Sequence, residues 1–212
     1  MSYPARTSAF MHKLAALMAT QFGVVGREQA LMAGLGPRAI KHRLSTGEWF
    51  AIHPGVYRLA AMPGSWRQRA MGALFAAGNG GALSHFSAAY VLGIPALNER
   101  EPSVIEVSVP RTRRMRLHGV RAHSPREEVS SFKTRDGLRT TTLARTFIDL
   151  AGVLDEERLE FALDSAAVKN PRLMRWLEVE LESLHTRGRR GLERFAQLLE
   201  LRRDGERNHR SK

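Results

Sequence analysis

The 212-residue sequence contains no cysteine. Disulfides, thiolate metal sites and a cysteine nucleophile are therefore excluded. The usual staple of secreted domains is missing as well, which favours the cytosol. No stretch approaches the roughly 18–20 uninterrupted apolar residues of a membrane helix. The first 25 residues carry Arg6, His12 and Lys13 where a signal peptide has its apolar segment, and no small-residue cleavage site follows. A cytoplasmic, unprocessed chain without membrane contact is expected.

Signatures of chemistry are equally scarce. The eight histidines show no His-x-x-x-His spacing, and His118 and His123 are a weak pair across a strand entry. A Gly-rich nucleotide loop is lacking. Glu106 is followed by Val-Ser-Val, so the acid-x-Lys element of a metal-dependent nuclease is missing there. Ser84-His85-x-Ser87 has a nucleophile and a base as neighbours, but neighbours at a helix start are badly placed for proton transfer, and no acid orients the imidazole. A helix cap and a buried, hydrogen-bonded histidine are expected there instead. No catalytic residue, no metal and no cofactor are expected, and the chain reads as a protein that is not an enzyme.

Positive charge is what the chain has in excess, and it is unevenly placed. Residues 1–60 hold seven Lys/Arg against two acids, residues 61–140 twelve against six, and residues 141–212 fourteen against thirteen. Most of the net +12 therefore lies in the first two thirds. Such an excess suits a polyanionic partner, although a solubility charge would look the same. Apolar content of 43% and charged content of 25% describe an ordinary globular protein of one large or two small domains.

The pattern along the first sixty residues is specific. Phe10, Leu14, Leu17, Met18 and Phe22 recur at helical spacing, with Gly23 as the stop. A second helix covers Arg27 to Ala33, Gly34-Leu35-Gly36 is a tight turn, and Pro37 opens a third helix through Leu44. Trp49 to Leu59 alternates like a hairpin bent at His53-Pro54-Gly55. Helix, helix, turn, helix, hairpin is the order of a winged helix-turn-helix. In the third helix Ile40 and Leu44 should face the core. Arg38, Lys41, His42 and Ser45 then form an acid-free face suited to a major groove. Arg43 lies on the flank, nearer a phosphate than a base. Arg58 is placed to reach the minor groove or the backbone, and His53 either a phosphate or its own turn.

Beyond Pro63-Gly64, Ser65 caps a helix through Ala77, and Ser84 caps a second over His85 to Leu92. Strands are expected at Val104–Val109, Val120–His123 and Leu138–Thr142, with Asp136-Gly137 as a turn. Helices follow at Leu143–Leu150, Glu156–Val168, Leu173–His185 and Leu192–Arg202. Arg111, Arg113, Arg114 and Arg116 form the densest basic cluster, either a second phosphate-contact surface or a solvated hairpin tip. Arg145 and Asp149 should pair along one helix face. The expected fold class is α+β: a winged helix-turn-helix at 1–62, a mixed α/β domain with a small sheet and a helical C-terminal part at 63–203, and a disordered basic tail at 204–212.

These residues resemble a family. Gly23-Val24-Val25, Ala33-Gly34-Leu35, the basic third helix and His53-Pro54-Gly55-Val56-Tyr57 look like the N-terminal module of AbiEi-type antitoxins of type IV toxin–antitoxin systems. The likeness continues through Leu83-Ser84-His85-Phe86-Ser87-Ala88-Ala89, Glu106-Val107-Ser108-Val109-Pro110 and the segment from Thr142 to Ala151, so it spans about residues 10–200. It implies a transcriptional autorepressor whose second domain acts against a nucleotidyltransferase-type toxin. Many actinobacterial members that look like this one continue into a small domain related to very-short-patch repair endonucleases, and the sequence ends near where that domain would begin. The expected partners are operator DNA, such a toxin and a second copy in a homodimer, since paired half-sites multiply the affinity of a small module. The alternative is the DNA-targeting part or remnant of such a nuclease.

Overall fold

The computed structural model describes residues 4–125, 132–182 and 190–210, with side chains over 12–125, 132–182 and 192–203. In chain order the elements are α1 (Pro4–Thr20), β1 (Val24–Gly26), α2 (Arg27–Met32), α3 (Pro37–Ser45), β2 (Trp49–His53), β3 (Val56–Leu59), α4 (Trp66–Ala77), β4 (Ala82–Leu83), α5 (His85–Leu92), β5 (Ile105–Ser108), β6 (Val120–His123), β7 (Phe132–Arg135), β8 (Leu138–Thr141), α6 (Leu143–Ala151), α7 (Glu156–Lys169), α8 (Leu173–Glu182) and α9 (Arg190–Arg210). The class is α+β, as expected. Among the described residues no helix is long and apolar enough to cross a membrane.

Two compact units divide the chain. Unit 1 takes Met1–Leu83, Ser103–Glu128 and Thr134–Arg139, and unit 2 takes Ser84–Pro102, Val129–Lys133 and Thr140–Lys212. The boundary expected at 62/63 thus falls inside unit 1. The reason lies in α4, which packs on β1, β2 and β3. A methyl group on Gly72 of α4 would come within 2.6 Å of Ile52 Cδ1, so the helix sits on the strand as closely as glycine allows.

Unit 1 begins with α1, which buries Leu14 and Met18 against Val25, Ala30, Ile40, Trp49 and Tyr57. Two residues at positive φ, Phe22 and Gly23, end the helix, and the Gly23 N–H reaches back to the Met18 carbonyl at 2.7 Å. What the sequence suggested as an extended link at Val24-Val25 is a strand: β1 lies antiparallel to β3, which pairs in turn with β2. Gln29 stabilises the start of α2 by accepting from the Gly26 N–H, and Gln21 and Gln29 bond each other. Pro37 opens α3 at its first turn, behind Gly36.

A second sheet runs in the order β6-β5-β4-β8-β7, and all five strands contribute residues to unit 1. β7 was not expected. Its residues, Phe-Lys-Thr-Arg, are mostly exposed, so no buried face imposes a readable alternation. Its turn to β8 was legible: Asp136 and Gly137 both adopt positive φ, as two-residue hairpins require. β5 and β6 are parallel, with Glu106 opposite Arg121 and Ser108 opposite His123. The basic segment 109–119 between them is therefore a crossover, and the hairpin-tip alternative for Arg111–Arg116 fails, because a tight hairpin joins antiparallel strands.

Unit 2 is helical around a core of Phe147, Leu150, Leu159, Leu163, Leu173, Leu177 and Phe195. Thr142 caps α6 by accepting from the Arg145 N–H at 3.1 Å. Nearly all of α6 is buried, including Arg145, whose Nε donates to Asp149 at 2.9 Å. Ser84 departs from its expected role: it occupies the N-cap position of α5 but makes no side-chain cap bond. Its Oγ lies instead 3.1 Å from His85 Nδ1, and His85 sits at φ 49. The tail also differs, since α9 continues through Arg210 where a disordered segment from Asp204 was expected. Residues 183–185, expected at the end of α8, and 211–212 lie outside the described residues.

Two stability measurements follow from this packing. A side chain at Gly23 meets both the positive φ and Met62 Sδ, 2.4 Å from the added carbon. Gly23→Ala should therefore cost about 1–3 kcal/mol, read as a lower thermal midpoint. The Arg145 and Asp149 side chains are 5% and 7% exposed. Asp149→Ala, which strands a buried guanidinium, should cost about 3–5 kcal/mol, whereas Arg145→Met/Asp149→Leu should recover most of the loss. A single variant as stable as the parent would show that the pair is solvated.

Candidate nucleic-acid interface

The geometry of α3 follows from one buried residue. Ile40 is 1% exposed in the unit 1 core, and Ala39 and Leu44 pack partly against the same cluster. With 3.6 residues per turn, the residues opposite Ile40 must face water. Arg38, Lys41, His42 and Ser45 are all exposed and continue one face across two turns. The helix carries no carboxylate. Ser45 is partly spent locally, since its Oγ donates to the His42 carbonyl at 2.9 Å, as does Thr46 Oγ1 at 3.0 Å.

Arg43 belongs to a different environment. Its guanidinium lies 5.7 Å from the centre of the Trp49 ring, donates to the Ala39 carbonyl at 3.3 Å and pairs with Glu48 at 3.7 Å. Trp49 in turn stacks on Tyr57. The side chain thus ties α3 to β2, as a flank position allows. Arg58 is also engaged: its Nη1 donates to the carbonyls of Leu59 and Met62 at 3.2 and 3.3 Å, and the group lies 4.7 Å from the Phe50 ring centre. His53 is half-buried beside Gly72 of α4, and burial pushes its imidazole below the ordinary value of 6.5. A half-buried imidazole shifted toward its neutral form is poorly suited to holding a phosphate.

The basic crossover lies elsewhere in unit 1. Arg111, Arg114 and Arg116 are exposed. Arg113 turns to the C-terminal end of α4, where its Nε and Nη2 both donate to the Ala76 carbonyl, the former at 3.1 Å. Arg139 Nη2 donates to the Gly78 carbonyl at 2.6 Å, and burial lowers this guanidinium from its ordinary value. Cations at the carbonyl end of a helix satisfy orphan acceptors and oppose the dipole. Gly78 permits the arrangement: its φ of 77° suits glycine, and Arg113 lies against its bare α-carbon.

Arg113, Arg114 and Arg116 line a concavity that also includes Arg27 and Arg139. Neither of the last two stood out in the sequence, since both lie far along the chain from 113–116 and only the fold brings them beside it. Elsewhere in unit 1, Glu106 is buried and its Oε1 is 3.3 Å from Arg121 Nη1 and 3.2 Å from His123 Nε2. Among the described residues no three His, Asp or Glu are placed to hold a metal ion.

No family model matches the chain, and no curated protein sequence matches it either. Among solved structures it is similar to the crystal structure of the RV2827C protein from Mycobacterium tuberculosis, with 18% identity and a TM-score of 0.37, over 80% of this chain and 76% of that one. At that degree of similarity neither a fold nor an activity transfers.

Proposed function

We propose that the chain is a sequence-specific double-stranded DNA-binding regulator, in which residues 1–62 act as a winged helix-turn-helix and α3 enters the major groove. The observation that carries this reading is the exposed face of α3, where Arg38, Lys41, His42 and Ser45 point outward from a helix without acids. Helix N-terminal residues usually meet base edges in such modules, and Arg38 and Lys41 lie there. The order α1, β1, α2, α3, β2, β3 and the sheet order β1-β3-β2 support it as the helix and strand sequence of a winged helix. The cation excess of residues 1–140 supplies sequence-independent attraction to phosphate.

The resemblance to AbiEi-type antitoxins extends this to an autorepressor, bound to its operator as a homodimer and paired with a nucleotidyltransferase-type toxin. A nuclease-remnant reading gains nothing from Glu106, whose carboxylate is already engaged by Arg121 and His123.

Gel shifts on the chain's own promoter and on random duplex test the proposal. Affinity should fall by orders of magnitude between about 50 and about 200 mM salt. Arg38→Ala or Lys41→Ala should cost about 1–3 kcal/mol on the specific site and much less on random DNA. Arg43→Ala and Arg58→Ala, which remove contacts within the fold, should lower the melting temperature and change specific affinity less. If both α3 variants stay folded and keep full specific affinity, α3 is not the reading helix.

A further inference from the structure

We propose that unit 1 carries a site for a small nucleotide-like ligand, a planar apolar body bearing phosphate, in the arginine-lined concavity beside α4. Its volume is about 1000 Å³, at the upper end of the roughly 300–1,000 Å³ of small-ligand sites. Every lining residue belongs to unit 1. The site shares no residue with the exposed face of α3, so it stands independently of the DNA reading.

The chemistry of the lining divides in two. On the α4 side the lining is apolar: Phe75 is half-buried at its surface, and Met71 and Leu74 lie buried beside it. Around it stand Arg27, Arg113, Arg114, Arg116 and Arg139, against one carboxylate, Glu28. Like charges gathered in a concavity focus positive potential on its interior. An anion placed there relieves their repulsion. Guanidinium groups present planar, paired donors that match phosphate oxygens, which selects phosphate over a compact halide. Two of the five are already oriented, because Arg113 and Arg139 are anchored on the carbonyls of Ala76 and Gly78. Less side-chain freedom is lost when an anion arrives at anchored groups.

The apolar side decides between a free ligand and a duplex backbone. Duplex DNA presents a convex ridge of phosphates that would meet the exposed Arg114 and Arg116 and leave the accessible part of Phe75 uncovered. A ligand with a nucleobase fills the concavity and stacks on Phe75, as bases do on aromatic side chains. The lining also takes in the start of α2 and the turn Pro54-Gly55, held together by the Arg27 N–H donating to the Gly55 carbonyl at 2.7 Å.

The test uses the full chain without DNA, titrated calorimetrically with ADP and GDP, and with adenosine and pyrophosphate as the two halves of the ligand. At least one diphosphate should bind, with adenosine and pyrophosphate each weaker by about tenfold or more, because each lacks one set of contacts. Arg114→Ala/Arg116→Ala, at two exposed positions, should melt with the parent and lose about tenfold or more in affinity. Phe75→Leu should weaken ADP and leave pyrophosphate unchanged. Three outcomes overturn the proposal. One is no binding of either diphosphate at about 1 mM to a chain with a normal melt. Another is pyrophosphate binding as tightly as the diphosphates, which makes the site a charge patch. The third is a double variant that loses only duplex affinity and salt slope, which makes the arginines a DNA-backbone contact.

Discussion

The burial of Ile40 is the constraint on which the arrangement of unit 1 turns. A nine-residue helix has few ways to sit on a small core, and this one is held by Ile40 among Leu14, Met18, Trp49 and Tyr57, with Ala39 and Leu44 beside it. Truncating that side chain would cost about 2–5 kcal/mol. Once Ile40 points inward, helical periodicity gives the opposite face no choice but water. The residues found there are Arg38, Lys41, His42 and Ser45, with no acid among them. The same seating puts Arg43 on the flank, over Trp49 and against Glu48, so one helix holds a cation that braces the fold and cations that are presented outward.

A second constraint acts at the other end of unit 1. The last carbonyls of α4 need donors, and two arginines distant in sequence, Arg113 and Arg139, supply them. Satisfying a helix terminus in this way recruits the crossover and the β7–β8 hairpin to one place. Positive charge is thereby concentrated around Phe75 without a matching set of acids. Structural capping and ligand recognition thus draw on the same guanidinium groups.

Much of this was legible residue by residue. Helix α3 was readable because Pro37 opens it and Ile40 and Leu44 mark its inner face. Ser65 announces the start of α4, and Asp136-Gly137 announces a turn. The α+β class follows from such local signals. What escaped the sequence depends on distant partners. β7 is a polar, exposed strand recognisable only by its neighbour β8. The parallel pairing of β5 and β6 is a matter of topology, and it alone decides that Arg111–Arg116 lie on a crossover. Of the candidate contact residues, Arg38, Lys41, His42 and Ser45 face outward as expected. Arg43, His53, Arg58 and Arg113 are each engaged by the fold, by a ring, a neighbouring helix or a carbonyl that no spacing rule could foresee. Arg27 and Arg139 were invisible for the converse reason: both are remote in sequence from the cluster at 113–116 that they join.

The absence of cysteine makes the seating of α3 on DNA directly measurable, since a single introduced thiol carries a label to one position only. A photo-crosslinker on Lys41→Cys, mixed with operator duplex at low salt, should attach to bases in the major groove, whereas the same label on Phe161→Cys, exposed on α7 of unit 2, should not attach. Crosslinking from Phe161→Cys with none from Lys41→Cys, in variants that melt like the parent, would move the DNA-contacting surface away from α3.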